Sequence, residues 1–196
     1  MFVQVFHGKV KDADMWSRQI DTWRKEIRPK TSGFLGSTSG VTADGTMITV
    51  ARFESQEKAA ANSSLPEQAA WFEETSKAFD GEITFHDCTE VDDVLDGGSD
   101  KAGFVQVMQG RAKDQQLMRS TAKGFDADLR KIRPDLLGGL VAWHGDGGFT
   151  QTAYFTSEAA ARTNEKEMAQ SPMFVDFMSQ IDGDMTFYDL RKPDFS

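Results

Sequence analysis

The fold is decided by a stretch of eleven residues that occurs twice, as FVQVFHGKVKD at 2–12 and as FVQVMQGRAKD at 104–114. The two copies are identical at seven of eleven positions and lie 102 residues apart. An internal repeat has to be recognised before any other pattern, because overlooking it leads to the wrong fold. The chain is therefore expected to consist of two related halves.

The match continues through the rest of each half. Asp44-Gly45 returns as Asp146-Gly147, and GEITFHD at 81–87 returns as GDMTFYD at 183–189. All of these blocks keep the offset of 102 residues, and chance would not preserve one offset across so many separate blocks. The repeat therefore spans nearly the whole chain.

The repeat predicts two domains of similar size. We expect the first unit at residues 1–91 and the second at 103–196. The segment between them, 92–102, is polar and Gly-rich, as is typical of a linker. Domains of this size bury only a modest share of their surface. We therefore expect the two units to pack against each other within one chain, as the subunits of a homodimer would.

Each unit has the pattern strand, helix, strand, strand, helix, strand. The stretch Phe2–Gly8 is rich in Phe and Val, which favours a strand. Asp44-Gly45 lies between two apolar runs, which predicts a hairpin, because Gly tolerates positive φ. The first helix carries apolar residues at spacings of four, three and four, which place them on one face: Trp16, Ile20, Trp23 and Ile27.

Four antiparallel strands with two helices on one face form a ferredoxin-like βαββαβ unit, an α+β arrangement. The other face of such a sheet would be left exposed to water. Two tandem units that pack sheet to sheet remove this exposure. The fold class predicted is therefore α+β, with two ferredoxin-like units forming a fused dimeric α+β barrel.

The sequence has two further distinctive features. They are a Ser-Pro break in the second helix and the two F-x-S-x-x-x-A-x-x-N segments, Phe53–Asn62 and Phe155–Asn164. With the strand order, they resemble the dimeric α+β barrel superfamily, and the units are most similar to antibiotic-biosynthesis-monooxygenase (ABM) domains. The resemblance implies an oxygenase that acts on a small aromatic or polyketide-like molecule without a bound cofactor. A non-catalytic small-ligand-binding or regulatory protein, or a pseudo-enzyme with a purely structural repeat, remains open.

Other members of that superfamily degrade haem, using an Asn on the first strand, a Trp early in the second helix and a His later in it. The matching positions in the first unit are Phe6, Asn62 and a residue near Ser76, and the second unit is no closer, with Met108 and Asn164 at the first two. None of the three residue types is retained. Haem degradation is therefore not expected, and no cofactor is predicted.

Charge and cysteine content narrow the choice of partner. The formal net charge is −9 at pH 7, which disfavours nucleic acid and anionic membrane surfaces. No stretch approaches the ~18 apolar residues of a membrane helix. Cys88 is the only cysteine, which fits a reducing cytoplasm. We expect a cytoplasmic protein that binds a small apolar or aromatic ligand, with further homo-oligomerisation left open.

Two histidines are the candidates for acid–base catalysis. His7 lies on the first strand and His86 on the last, and these strands are neighbours in a ferredoxin-like sheet. Gln109 and Tyr188 replace them in the second unit. Ordinary polar roles remain an alternative for both. Two histidines with no third ligand at a recognisable spacing are weak evidence for a metal, so no metal site is predicted.

Seven residues are candidate substrate contacts, each with a structural alternative. Trp16 and Trp23 either line the space between helices and sheet or fill it. Two equivalent asparagines either bind a ligand or stabilise the bend in the second helix. Arg52 and Tyr154 share an equivalent strand position suited to a phenolate, and Trp143 has no aromatic counterpart in the first unit. The candidates are Trp16, Trp23, Arg52, Asn62, Trp143, Tyr154 and Asn164.

Several of these positions differ in chemistry between the halves. In the alignment of the two halves, His7 corresponds to Gln109 and Arg52 corresponds to Tyr154. We therefore expect two unequal pockets, of which at most one is active.

Overall fold

The computed structural model describes residues 1–196, except for the side chain of Ala127. These residues form two compact units: unit 1 is Met1–Thr89 with Asp194–Ser196, and unit 2 is Glu90–Pro193. In chain order the elements are β1 (Phe2–Val10), α1 (Ala13–Thr22), β2 (Phe34–Val41), β3 (Thr46–Phe53), α2 (Gln56–Ser63), α3 (Pro66–Ser76), β4 (Phe79–Cys88), β5 (Glu90–Val94), β6 (Phe104–Arg111), α4 (Gln115–Ala122), α5 (Asp126–Ile132), β7 (Leu136–Trp143), β8 (Gly148–Phe155), α6 (Glu158–Met168), α7 (Pro172–Ser179), β9 (Thr186–Leu190) and β10 (Asp194–Phe195).

The strand order confirms two ferredoxin-like units. The sheet of unit 1 has the order β10-β2-β3-β1-β4, and that of unit 2 has β5-β7-β8-β6-β9. The strand pairs in both sheets are antiparallel. The last four strands of each order are the βαββαβ set that the repeat predicts.

Equivalent residues start the first helix of each unit. The Asp12 carboxylate accepts a hydrogen bond of 2.8 Å from the Met15 amide, and Asp114 accepts one of 3.0 Å from the Leu117 amide. Each aspartate therefore caps a helix N-terminus. Both are the last residue of the repeated eleven-residue stretch, so one motif encodes a strand and the start of the following helix.

The second helix of each unit is interrupted, as the Ser-Pro pattern predicts. Ser55 caps α2 and Ser157 caps α6 through their side-chain oxygens. Pro66 and Pro172 then open α3 and α7. Proline suits a first helical position, because the amide that it lacks would have no intrahelical partner there.

The first helix departs from the continuous stripe that the sequence predicts. In unit 1, α1 passes into a π-helical turn at Trp23–Ile27 and a 3₁₀ turn at Arg28–Lys30. The Arg28 amide donates to the Trp23 carbonyl, five residues back. In unit 2 the corresponding helix is divided into α4 and α5. The π turn redirects its side chains, and such turns often occur at functional sites.

The unit boundaries differ from those expected at 1–91, 92–102 and 103–196. The segment expected to be a linker begins inside β5, which pairs with β7 at five positions. The end of the chain leaves unit 2, because β10 pairs with β2 at two positions in unit 1. Both strands are short and acidic, so neither shows the apolar alternation that predicts a strand.

Each unit keeps an apolar core between its helices and its sheet. In unit 1 a buried cluster contains Trp16, Met47 and Phe79, and in unit 2 another contains Met118 and Phe149. Within the described residues, every helix is too short or too polar to cross a membrane.

Candidate ligand-binding site

A cavity of about 70 Å³ lies between the helices and the sheet of unit 1. Strands β1, β2 and β3 form its floor, and α1, the π-helical turn, α2 and α3 cover it. The lining residues are mostly aromatic or uncharged polar: Gln4, Phe6, Trp16, Ile20, Trp23, Phe34, Ser37, Ser39, Thr49, Ala51, Phe53, Asn62, Gln68, Trp71 and Ser196.

Three of the four tryptophans line this cavity. The Trp23 indole N–H donates to Gln68 Oε1 at 2.9 Å, and the Trp71 indole N–H donates to the Gln19 carbonyl at 2.7 Å. These bonds satisfy the two polar edges, so the rings offer their apolar surfaces. Trp16 contacts Phe79 edge to face at 5.5 Å. The walls are therefore suited to a planar apolar ligand.

Asn62 contributes a polar group without a partner. The residue lies near the end of α2 and is only 7% exposed. Its Oδ1 atom is buried and accepts no hydrogen bond. Leaving a buried acceptor unsatisfied costs about 1–3 kcal/mol, so such an atom calls for an explanation. A hydrogen-bond donor on a ligand would satisfy it.

The cavity lining carries no formal charge. Its polar members among the described residues are hydroxyl and amide side chains, and none is an acid, a base or a cysteine. A charged ligand would therefore lose its hydration without gaining a counter-ion. Ser37, Ser39 and Thr49 place hydroxyls on the floor of the cavity. The Thr49 hydroxyl donates to Met47 Sδ at 3.3 Å, so the two serines supply the donors for a ligand.

His7 and His86 lie close together, as the strand order predicts, but away from this cavity. Their ring centroids are 6.3 Å apart. Side chains alternate along a strand, and Phe6 points to the helix-covered face, so His7 lies on the opposite face of the sheet. Burial and the neighbouring His86 lower the pKa of His7. A catalytic role for this pair stays a prediction, which the geometry separates from the aromatic cavity.

Arg52 and Tyr154 also lie on the sheet face away from the helices. Arg52 is paired with Val3, whereas the cavity-lining Ala51 is paired with Gln4. The Nε atom of Arg52 is buried and has no hydrogen-bond partner. Tyr154 occupies the equivalent position in unit 2 and is almost fully buried. The structure therefore does not bring either residue to the site that contains Trp16, Trp23 and Asn62.

In unit 2 a buried ion pair contacts the counterpart of Asn62. Arg133 binds Asp135 through two hydrogen bonds of 2.8 and 3.1 Å, and the two side chains are 8% and 2% exposed. Asn164 donates to the Asp135 carboxylate at 2.8 Å. The Arg133 guanidinium also lies 4.8 Å from the centroid of Phe155. Asn164, the counterpart of Asn62, is therefore satisfied by the protein itself.

One position explains this difference. The Gly33 carbonyl accepts a hydrogen bond from the Glu54 amide, and the Asp135 carbonyl accepts one from the Thr156 amide. Both pairs are 102 residues apart, so Gly33 and Asp135 are structural equivalents. Unit 1 has no side chain at the position where unit 2 has the carboxylate that binds the asparagine.

Trp143 packs in the core of unit 2. It is 3% exposed and belongs to the cluster that contains Met118 and Phe149. Its indole N–H donates to Asp92 Oδ2 at 2.8 Å, and Arg119 binds the same carboxylate. Burial would raise the pKa of Asp92, but the hydrogen bonds from Arg119 and Trp143 outweigh it and lower that pKa. Trp143 therefore attaches β5 to unit 2.

Sequence reasoning missed Trp71 and Ser196 as cavity residues and missed the Arg133–Asp135 pair. Trp71 has Met173 as its counterpart in unit 2, so comparing the halves could have identified it. Ser196 lies far along the chain from the other cavity residues, and only the β10–β2 pairing brings it there. No pattern in the sequence predicts that strand pairing.

Three other observations on the described residues point to no further chemistry. Burial and the neighbouring Asp87 raise the pKa of the Cys88 thiol to about 12, which makes it a poor nucleophile. No three His, Cys, Asp or Glu side chains among the described residues are grouped so that they could hold a metal ion. A groove of about 450 Å³ on unit 2, between α5 and α7, is open to solvent.

No protein-family model and no curated protein matches the sequence. Several solved structures share its fold over nearly the full length. A candidate monooxygenase from Lactobacillus acidophilus NCFM is 11% identical, with a TM-score of 0.71, over 96% of this chain and 92% of that one. An anthrone oxidase-like protein is 11% identical, with a TM-score of 0.65, over 99% and 92%.

A third neighbour is a ferredoxin-fold protein from Listeria monocytogenes that is described as related to antibiotic biosynthesis monooxygenases. It is 10% identical, with a TM-score of 0.51, over 96% of this chain and 94% of that one. At such identities the similarity establishes the fold. The chain therefore has the ferredoxin-like fold of these structures, in two tandem units.

Proposed function

We propose that unit 1 binds a small, uncharged aromatic molecule that carries a hydroxyl group, and that it oxygenates this molecule without a bound cofactor. The observation that carries the proposal is the unpartnered Asn62 Oδ1 inside an aromatic cavity. A phenolic O–H would donate to this atom while the ring lies between Trp16, Trp23 and Trp71.

Charge supports the choice of a neutral phenol over a carboxylate or an amine. The described cavity lining offers no counter-ion to either charged group. It also offers no His, Cys, Met or Tyr side chain of the kinds that ligate haem iron. Haem is therefore a poor candidate for this cavity.

The chemistry requires a substrate that forms its own carbanion readily. In the net reaction a CH₂ group and O₂ give a C=O group and water, so the substrate supplies the electrons that reduce O₂. No described side chain of the lining can accept the C–H proton, so both hydrogens of the CH₂ group leave on the reduced oxygen atom as the product water. The protein would contribute hydrogen bonds from the Ser37 and Ser39 hydroxyls to a developing oxyanion and the exclusion of bulk water.

A second candidate is a non-catalytic binding or regulatory protein of the same fold. The specific observation in its favour is the same absence of an acid or base among the described residues of the lining. Catalysis by a positioned base would need such a group within hydrogen-bond reach of the substrate. Both candidates share the aromatic ligand and differ in the consumption of oxygen.

The experiment compares 1-naphthol, naphthalene and 2-naphthoate as binding probes. They are titrated against a Trp143→Phe variant, in which all three remaining tryptophans line the cavity. We expect 1-naphthol to quench their fluorescence and to bind about five-fold more tightly than naphthalene, because a buried hydrogen bond is worth roughly 1 kcal/mol. The naphthoate should not bind.

Asn62→Leu is the matched test, since it keeps the volume and removes the acceptor. It should abolish the preference of 1-naphthol over naphthalene. Equal binding of the two probes by the unsubstituted cavity would refute the proposed ligand class. The oxygen test uses 1,8-dihydroxyanthrone, which carries both the hydroxyl groups and the reactive CH₂ group. Uptake of oxygen with it, without added metal or flavin, decides for the oxygenase, and binding without oxygen uptake decides for the non-catalytic candidate.

A further inference from the structure

The wall of the cavity is completed by a segment far along the chain. Ser196 lines the cavity, and β10 pairs with β2 through Asp194–Ser39 and Phe195–Thr38. The Ser196 carbonyl accepts a hydrogen bond of 2.8 Å from the Ser37 amide. Ser37 and Ser39 also line the cavity, so the strand pairing of Asp194 and Phe195 places Ser196 at its edge.

Arg24 holds this segment in place. Its guanidinium binds the Asp194 carboxylate, and its Nε donates to the Ser196 hydroxyl at 3.0 Å. Arg24 is the neighbour of Trp23 in the π-helical turn. One turn therefore supplies both an aromatic wall of the cavity and the cation that binds the segment.

A glycine leaves room for the segment on β2. Gly36 has a φ of +128°, and a Cβ atom there would lie 3.1 Å from the Ser196 carbonyl oxygen. The strand pairing is irregular between Phe34 and Gly36. The edge of β2 is thus shaped to accept the backbone of Ser196.

The attachment is small compared with its equivalent in unit 2. β10 makes two residue pairs with β2, whereas β5 makes five with β7. A segment with few backbone pairs and partly exposed ionic contacts opens at low free energy, well below global unfolding. The Arg24 and Asp194 side chains are 30% and 35% exposed.

The size of the cavity requires such an opening. An apolar cavity of about 150 Å³ is known to hold benzene, and this one measures about 70 Å³. A naphthol-sized ligand therefore does not fit while Ser196 closes the edge. Release of Ser196 and of the Arg24 contacts would free both the β2 edge and the turn that carries Trp23.

We propose that Asp194–Ser196 is a gate of the unit 1 cavity, and that Arg24 is the positioning residue that keeps it closed. The proposal rests on the function proposed above for that cavity. The closed gate excludes the aromatic ligand, and the open gate admits it. The measured affinity is then reduced by the fraction of molecules whose gate is closed.

The test measures association of 1-naphthol by stopped-flow tryptophan fluorescence. In Arg24→Gln we expect the association rate to rise about five-fold, the scale of one partly exposed ion pair, with the dissociation rate unchanged. Asp194→Asn and a chain that ends after Pro193 should behave alike. The matched control is Arg119→Gln, which loosens β5 in unit 2 and should leave the association rate unchanged.

A second measurement needs no ligand. The amide of Ser37, which donates to Ser196, should exchange its hydrogen by local opening, and faster still in Arg24→Gln. Exchange of that amide only through global unfolding would overturn the gate, as would an unchanged association rate or an increase confined to dissociation. If none of the aromatic probes binds, the proposed function fails, and the Ser37 exchange alone then decides on the gate.

Discussion

Unit 1 and unit 2 have the same strand order, but they differ in the side chains that surround the equivalent asparagines. Unit 1 keeps an aromatic cavity in which the Asn62 Oδ1 has no partner. Unit 2 has the Arg133–Asp135 ion pair, which binds its own asparagine, Asn164. The comparison teaches that the repeat preserves the strands, whereas a single position, Gly33 in unit 1 and Asp135 in unit 2, decides whether the asparagine has a protein partner.

The ion pair and the unpaired amide also differ in what their loss would cost in stability. A buried pair adds little net stability over apolar residues, yet removing one partner leaves a buried, uncompensated charge. An unpaired amide in unit 1 costs less and can be satisfied by a ligand. The two units should therefore respond differently to equivalent substitutions.

The largest effect is expected from Asp135→Ala. It leaves the buried guanidinium of Arg133 without its carboxylate and should lower the free energy of unfolding of unit 2 by about 3–5 kcal/mol. The fluorescence of Trp143, the only tryptophan of unit 2, reports this transition in urea. The control is Asp128→Ala, an exposed partner of Lys131, with an effect of about 0–0.5 kcal/mol. Similar losses of stability in both variants would contradict the importance of the buried Arg133–Asp135 ion pair.

The next largest loss of stability is expected from substitution of the equivalent glycines Gly138 and Gly36 by alanine. A Cβ on Gly138 would lie 2.1 Å from the Gly97 carbonyl oxygen, which is backbone and cannot easily move. Gly138→Ala should therefore cost about 2–3 kcal/mol, from strain and overlap. Gly36→Ala meets the mobile end of Arg52 and the Ser196 segment, and should cost about 1–2 kcal/mol. Thermal unfolding of the two variants tests the order, and a reversed order would refute it.

A smaller contrast is expected between the two asparagines. Asn164→Leu removes a hydrogen bond from a buried carboxylate and should cost about 1–2 kcal/mol of stability. Asn62→Leu removes a buried acceptor that has no protein partner, so it should raise the free energy of unfolding by about 1 kcal/mol. Denaturant unfolding of both variants gives the comparison. Equal losses would mean that Asn62 has a structural role like that of Asn164.

The smallest effect is a pH dependence specific to unit 1. Burial and the charge of His86 lower the pKa of His7 below its ordinary value of 6.5. The folded state then binds the proton less readily than the unfolded state, so stability is retained above pH 6.5 and falls as the pH drops through the lowered pKa. His7→Gln, which installs the residue of unit 2, should reduce this slope. Urea unfolding at pH 7.5 and 5.0 measures it, and an unchanged slope would contradict the assignment.

Much of the fold could be predicted from particular residues. The repeated strand with its capping aspartate, the Asp-Gly hairpins and the Ser-Pro breaks all appear where the structure has them, because each acts through local geometry. Trp16 and Trp23, which the spacing places on one helix face, line the same cavity as Asn62. The sequence did not show that His7, Arg52 and Tyr154 lie on the other face of the sheet. Helices cover one face of a strand only after the chain has folded, so this is not a local property.

What the sequence by itself determined is the architecture: two α+β units, their strand order and the residues that start and break their helices. These follow from spacing and from short-range hydrogen bonds. Only the tertiary structure decided that Asn62 lies in a cavity without a partner whereas Asn164 binds Asp135, and that Ser196 reaches the cavity. Those outcomes depend on contacts between residues far apart in the chain, such as Asp135 with Asn164 and Asp194 with Arg24, whose geometry exists only after the sheet has formed.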